Sequence, residues 1–201
     1  MNIVKRLYNW VLSWGDSPYG GVALFVLAVM ESSFFPIPPD VLLIALCLGA
    51  TTRSFRYAAI CTAGSVVGAV LGYGIGSALW QIGGEYTPLA NFFFNNVFSQ
   101  AAFLNVGSLY EQYNFWIIFT AGFTPIPYKI FTVTAGVFNI NFVMFIVASI
   151  IARGARFFLV AALIWKFGAP IKGFIDKYFN FLAILFTILL IGSFALVKLV
   201  L

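Results

Sequence analysis

Five charged side chains sit inside long apolar stretches of this sequence: Glu31, Asp40, Lys129, Arg153 and Arg156. Glu31 and Asp40 bracket "SSFFPIPP", with "GVALFVLAVM" before them and "VLLIALCLGA" after. Lys129 follows "TPIPY", and Arg153 and Arg156 lie three apart in "IIARGARFFLV", on one face of a helix. Guanidinium forks match phosphate or carboxylate oxygens, whereas carboxylates compete for the same cations and take up protons when displaced. The five therefore have the chemistry of a substrate- and proton-binding site for an anion. Each would cost about 2.5–3.5 kcal/mol at a helix centre facing lipid, and the five on the order of 10 kcal/mol, comparable to a protein's net stability. They are expected to face inward and meet one another or water. Purely structural pairs, Glu31 with an arginine or Asp40 with Lys129, are the alternative reading.

Catalytic constellations are missing. The chain has no histidine, no GxSxG and no HExxH, and the two acids flank a turn without an obvious nucleophile. Cys47 and Cys61 fall in apolar blocks at no metal or redox spacing and read as small buried residues. No enzyme activity, metal or cofactor is expected, and no nucleic-acid partner.

The surroundings of these charges determine the solvent. Of 201 residues 62% are hydrophobic and 8% charged, and mean hydropathy is +1.01. A soluble domain carries roughly 25% charged residues, so this composition reads as an all-α integral membrane protein. A span needs about 20 apolar residues, and 57–83, 141–166 and 175–200 qualify. The stretches 20–51 and 115–138 are interrupted at "PIPPD" and "TPIPYK", where Pro36, Pro38 and Pro39, and then Pro125 and Pro127, remove amide donors. Their arms are too short to span and read as re-entrant hairpins with the prolines at the tips.

The organisation that follows is a single membrane domain. Residues 1–19, with Trp10 and Trp14 beside Lys5 and Arg6, form an interfacial helix; 20–83 is a first repeat. Residues 84–114 are an amphipathic connector whose apolar stripe is Leu89, Phe93, Val97, Ala101 and Leu104. Residues 115–168 are a second repeat and 169–201 an extra C-terminal transmembrane helix. "PIP" recurs 89 residues later, Pro36 to Pro125, and the same shift carries Asp40 onto Lys129. Basic patches at Lys5 and Arg6, at Arg53 and Arg56, and at Lys166, Lys172 and Lys177 place the two hairpins in opposite orientations if all are cytoplasmic. Inverted repeats with matched broken helices mark carriers that bind substrate near the midplane. Gly64, Gly68, Gly72 and Gly76 form a helix-contact face, within the chain or in a homodimer.

The acid before "PIPPD" together with "FTPIPYKIFTVTAGVFNINFVMFIVASIIARGARFFLV" resembles the DedA family, the VTT or SNARE-associated membrane proteins, and within it the YqaA-like branch. The resemblance covers roughly residues 20–168. It implies multi-pass proteins of the cell inner membrane that act on lipids, as flippases or scramblases of phospholipids or recyclers of a polyprenyl phosphate carrier, with proton coupling in some. Glu31 and Asp40 match the family's membrane acids, and Lys129 stands near its arginine after the second hairpin proline. The usual arginine before that proline is replaced here by Gly122 and Phe123. Arg153 and Arg156 are then the candidates to restore its charge. The expected function is movement of a phosphate-headgroup lipid between leaflets, with membrane lipids as partners and protons as the coupling ion. An ion- or proton-coupled small-solute transporter and a structural or assembly protein stay open.

Overall fold

The computed structural model describes residues 19–33, 38–82, 85–88, 90–91, 94, 100–124, 128–168 and 170. The interfacial helix expected over 1–19 (Tyr19 apart), the C-terminal span at 175–200, tip prolines Pro36, Pro125 and Pro127, and stripe residues Leu89, Phe93 and Val97 lie outside the described residues.

Helix α1 (Gly20–Ser33) stops ahead of the first proline cluster. Ser33 Oγ donates back to the carbonyls of Val29 (2.8 Å) and Met30 (3.2 Å), taking up acceptors that the interrupted ladder leaves free. Helix α2 (Asp40–Gly49) begins just after Pro38 and Pro39, where a missing amide donor costs nothing. A 3-10 turn (Thr51–Arg53) leads into α3 (Ser54–Leu79). The span expected over 57–83 therefore ends as helix at Leu79. Trp80 then leads into a two-stranded ribbon, β1 (Gln81–Ile82) with β2 (Glu85–Tyr86), in which Gln81 pairs with Tyr86.

Helix α4 (Gln100–Phe123) runs through the boundary expected at 114/115, because no proline falls between Pro88 and Pro125 to interrupt it. Leu104, assigned to the apolar stripe, is exposed, while Tyr110 is buried. Helix α5 (Tyr128–Val137) follows the second break. It ends in a Schellman turn: Asn139 adopts φ 49°, its amide bonds the Gly136 carbonyl (3.1 Å), and the Ile140 amide bonds the Ala135 carbonyl (3.1 Å). Asparagine tolerates this left-handed position better than a branched residue would. Asn141 Oδ1 then accepts the Met144 amide (2.9 Å) and caps α6 (Phe142–Gly168).

The chain is thus mostly helical with two long apolar helices, the run Thr51–Leu79 and Phe142–Gly168, and shorter apolar helices beside them. Aromatic contacts make α3 and α6 antiparallel. Phe55 meets Phe158 and Trp165 at one end, and Tyr73 meets Phe142 and Phe145 at the other. The four-spaced α3 glycines, Gly64, Gly68, Gly72 and Gly76, face neighbours in the same chain. A Cβ on Gly64 would lie 2.6 Å from the Phe25 carbonyl oxygen, on Gly68 2.3 Å from that of Val29, and on Gly76 2.0 Å from that of Val133. This face is consumed by α1 and α5, which removes it as support for a homodimer.

Among the described residues two large buried cores result, beside a small cluster at Trp80 and Ala90. One joins α1, α2, the first half of α3 and the second half of α6 through residues such as Leu24, Leu43, Cys61 and Phe157. The other joins the second half of α3, α4, α5 and the first half of α6 through Tyr110, Ile118, Tyr128 and Phe145. Ser65 on α3, and Arg153 and Arg156 on α6, fall between them in sequence.

Candidate functional site

Both breaks lead to the boundary between the cores. Glu31 is in the last turn of α1 and Asp40 in the first turn of α2, either side of the first break. Thr124 ends the backbone before the second break and Tyr128 resumes it. Arg153 and Arg156 project from one face of α6 toward all four, as their spacing requires.

Arg153 is buried, hydrogen-bonded along its Nε edge and flanked by two aromatic rings. Its Nη2 donates to Glu31 Oε2 at 2.6 Å and its Nε to Ser65 Oγ at 2.6 Å. The guanidinium carbon lies 5.0 Å from the Tyr128 ring centroid and 4.7 Å from that of Phe157, so aromatic faces cover the cation. Its side chain is 2% exposed. Ser32 Oγ donates to Glu31 Oε2 (3.1 Å) and lies 2.7 Å from Ser65 Oγ. Arginine Nε can only donate, so Ser65 accepts from it and passes its own proton to Ser32, which gives its proton to the carboxylate. The four residues close a ring in which every hydroxyl proton has one place.

Arg156 is held differently. Its Nε (3.0 Å) and Nη2 (2.9 Å) both address Asp40 Oδ1, while Nη1 donates to the Thr124 carbonyl at 2.6 Å. The carbonyl end of α4 carries the negative pole of its helix, which favours a cation there. Arg156 is 15% exposed and Asp40 18%. One arginine therefore ties the first break to the second. Thr132 adds a neutral tie, its Oγ1 donating across to the Ser32 carbonyl at 3.0 Å.

Of the two pairings weighed as the alternative reading, the one at Asp40 is not found. The partner of Asp40 is Arg156, not Lys129, because the α6 arginine reaches the first break from the adjoining helix. Lys129, half-buried in the first turn of α5, makes no ion pair among the described residues. The other expected inward pairing, Glu31 with an arginine, is present. Pro38 and Pro39 sit directly ahead of Asp40, and Pro39 is buried. Sequence reasoning missed Ser32, Ser65, Tyr128 and the Thr124 carbonyl. Ser65 carried a weak signal, a hydroxyl near the middle of a largely apolar 26-residue helix and on the same four-spaced small-residue side as its glycines. The backbone carbonyl carried none.

Gly122 also has a role. A Cβ there would lie 2.8 Å from Ala152 Cβ and 3.6 Å from Arg153 Cδ, so the bare position lets α6 and the stem of Arg153 approach.

A sequence model of the VTT domain matches residues 37–166, well over half of the chain. The chain belongs to the VTT-domain family. This is the DedA and SNARE-associated grouping to which the two proline-broken segments pointed. The VTT-domain protein is 33% identical over 184 residues to an uncharacterized protein of Haemophilus influenzae, covering 88% of this chain and 90% of that one. It is 30% identical over 180 residues to an uncharacterized protein of Histophilus somni, covering 88% and 91%. No solved structure matches it. All five buried or half-buried charges except Glu31 fall inside the matched domain.

Proposed function

We propose that this VTT-domain protein is a multi-pass carrier of the cell inner membrane that moves lipids with a phosphate headgroup between leaflets. The two broken segments are read as re-entrant hairpins of two inverted repeats. Helix contacts support that reading. Along α1, Gly21, Phe25 and Val29 approach Ile60, Gly64 and Gly68 in turn, so α1 runs parallel to α3 and α2 must return before α3 starts. Gly107 lies against Phe138, and Gly122 against Tyr128, so α4 and α5 pair antiparallel with their break near the α6 arginines. Orientation is supported by position as well: Gly168 at the end of α6 lies beside Thr51, which puts Arg53, Arg56 and Lys166 at one end of the molecule.

The observation that carries the functional reading is the pairing of two acids with two arginines where both breaks meet, between two apolar cores. A polar seam at that depth lets a headgroup cross while its tails stay in the bilayer. The cations receive the phosphate, the acids hold them in its absence, and protons are the candidate coupling ion. Gly122 in place of the family's arginine leaves phospholipid and polyprenyl phosphate as equal candidate substrates. A purely structural role has one specific support, the closed ring around Arg153, which contains no displaceable partner.

Leaflet exchange in proteoliposomes tests the reading, using labelled phospholipids and a polyprenyl phosphate with and without a proton gradient. Exchange by the wild type and a fall of at least about tenfold, or 1.4 kcal/mol in barrier, in Asp40→Asn and Lys129→Ala are expected. If correctly inserted wild type moves no lipid under either condition, the lipid reading fails and small-solute uptake takes its place.

A further inference from the structure

The two arginines are three residues apart and carry the same charge, yet their surroundings give them different tasks. We propose that Arg156 is the residue that receives the anionic phosphate group, exchanging Asp40 for it, and that Arg153 is a positioning residue that never releases its partners. This deepens the lipid reading above and rests on it for the identity of the cargo.

For Arg153, the two donors of the Nε edge go to two separate acceptors, Ser65 Oγ and Glu31 Oε2, on different helices. An incoming phosphate would have to displace both and also reach between the Tyr128 and Phe157 rings. At 2% exposure the guanidinium has no open edge. For Arg156, the same edge is spent on a single oxygen, Asp40 Oδ1. Asp40 Oδ2 accepts nothing among the described residues. A guanidinium edge is best matched by two oxygens side by side. A phosphate supplies them, so it is the better partner for the edge that Asp40 half fills. Displacing one atom is enough, and the Nη1 bond to the Thr124 carbonyl keeps the side chain in place throughout. Lys129, three positions before Thr132 in the first turns of α5, makes no ion pair among the described residues and adds to the positive potential at the second break. Arg153, in turn, holds α1, α3 and α6 in register so that Arg156 points at the seam.

This assignment predicts effects of opposite sign from the two members of one ion pair, Asp40 and Arg156. The test uses the full chain in lipid nanodiscs, titrated with short-chain phosphatidic acid and, separately, with inorganic phosphate. Asp40→Asn removes the competitor and tightens binding of the phosphate probe by about tenfold. Arg156→Gln weakens it by about a hundredfold, since a two-point charged contact is lost. Ser65→Ala, milder than any change at Arg153, lowers thermal stability and leaves affinity within about threefold. Unchanged or weaker binding in Asp40→Asn overturns the assignment, as does wild-type affinity in Arg156→Gln or a larger loss from Ser65→Ala than from Arg156→Gln. Binding of phosphatidic acid with no leaflet exchange leaves Arg156 as the receptor and removes the transport reading. Binding of inorganic phosphate alone leaves Arg156 in place and makes the cargo a solute. Wild-type exchange that survives Arg156→Gln unaltered overturns the assignment and leaves transport standing.

Discussion

Arg153→Met loses about 3–5 kcal/mol of stability, the scale found when one partner of a buried ion pair is removed. Three contributions act together. Glu31, 13% exposed, keeps a carboxylate with no cation beside it. Ser65 loses the donor that fixes the direction of the serine chain, and Tyr128 and Phe157 lose the cation between their faces. Arg156→Met has a smaller effect, about 1–2 kcal/mol, because its pair is partly solvated and leaves Asp40 able to take other partners. Replacing both members, Arg153→Met with Glu31→Met, recovers a large part of the loss, since an apolar pair of similar volume needs no desolvation. A double-mutant cycle on unfolding in mixed micelles reads this directly, with a coupling above about 2 kcal/mol expected. An Arg153→Met loss no larger than that of Arg156→Met would sink the closed-ring account.

Large side chains at the α3–α5 crossing produce the second large effect. A Cβ on Gly136 would lie 2.0 Å from the Tyr73 carbonyl oxygen, and one on Gly76 2.0 Å from that of Val133. Both obstacles are backbone, so neither can rotate aside; the helices themselves must part by about an ångström or more. Overpacking of this kind costs about 1–3 kcal/mol even for small additions. Gly136→Val is expected at or beyond the top of that range, since its branched side chain adds two methyl groups. Gly76→Ala and Gly136→Ala together cost less than the sum of their separate effects, because one separation of the helices relieves both clashes. Gly74, on the same helix, has nothing within 4 Å of an added Cβ. Gly74→Ala is therefore neutral or stabilising, by up to about 1 kcal/mol. Thermal unfolding in detergent separates the three. A neutral Gly136→Val would show that α5 is not packed against α3 at this distance.

The damage from these two kinds of change reaches function by different routes. Parting α3 from α5 also moves Thr132, whose hydroxyl bonds the Ser32 carbonyl, next to the Glu31 ring. The phosphate binding proposed at Arg156 is then expected to change through geometry, with the charges themselves intact.

What the amino-acid sequence determines by itself here is local. Its hydropathy makes the chain a membrane protein, its prolines break two segments, and its small residues on α3 mark a contact face. It also names all five charges, because an ionised side chain in an apolar stretch is conspicuous whatever surrounds it. The boundary it sets at 114/115 falls inside one continuous helix, Gln100–Phe123, because no proline there stops it. Partnership lay beyond it. The 89-residue repeat matches Asp40 with Lys129, but the distance from Asp40 to a cation is decided by how α6 crosses both breaks, and there Arg156 arrives first. Ser65 and Arg153 are 88 residues apart and Glu31 and Arg153 122, separations over which spacing in the chain says nothing about spacing in space. Only the packing of α1 and α6 on α3 made one arginine a locked anchor and left its neighbour on a half-filled edge.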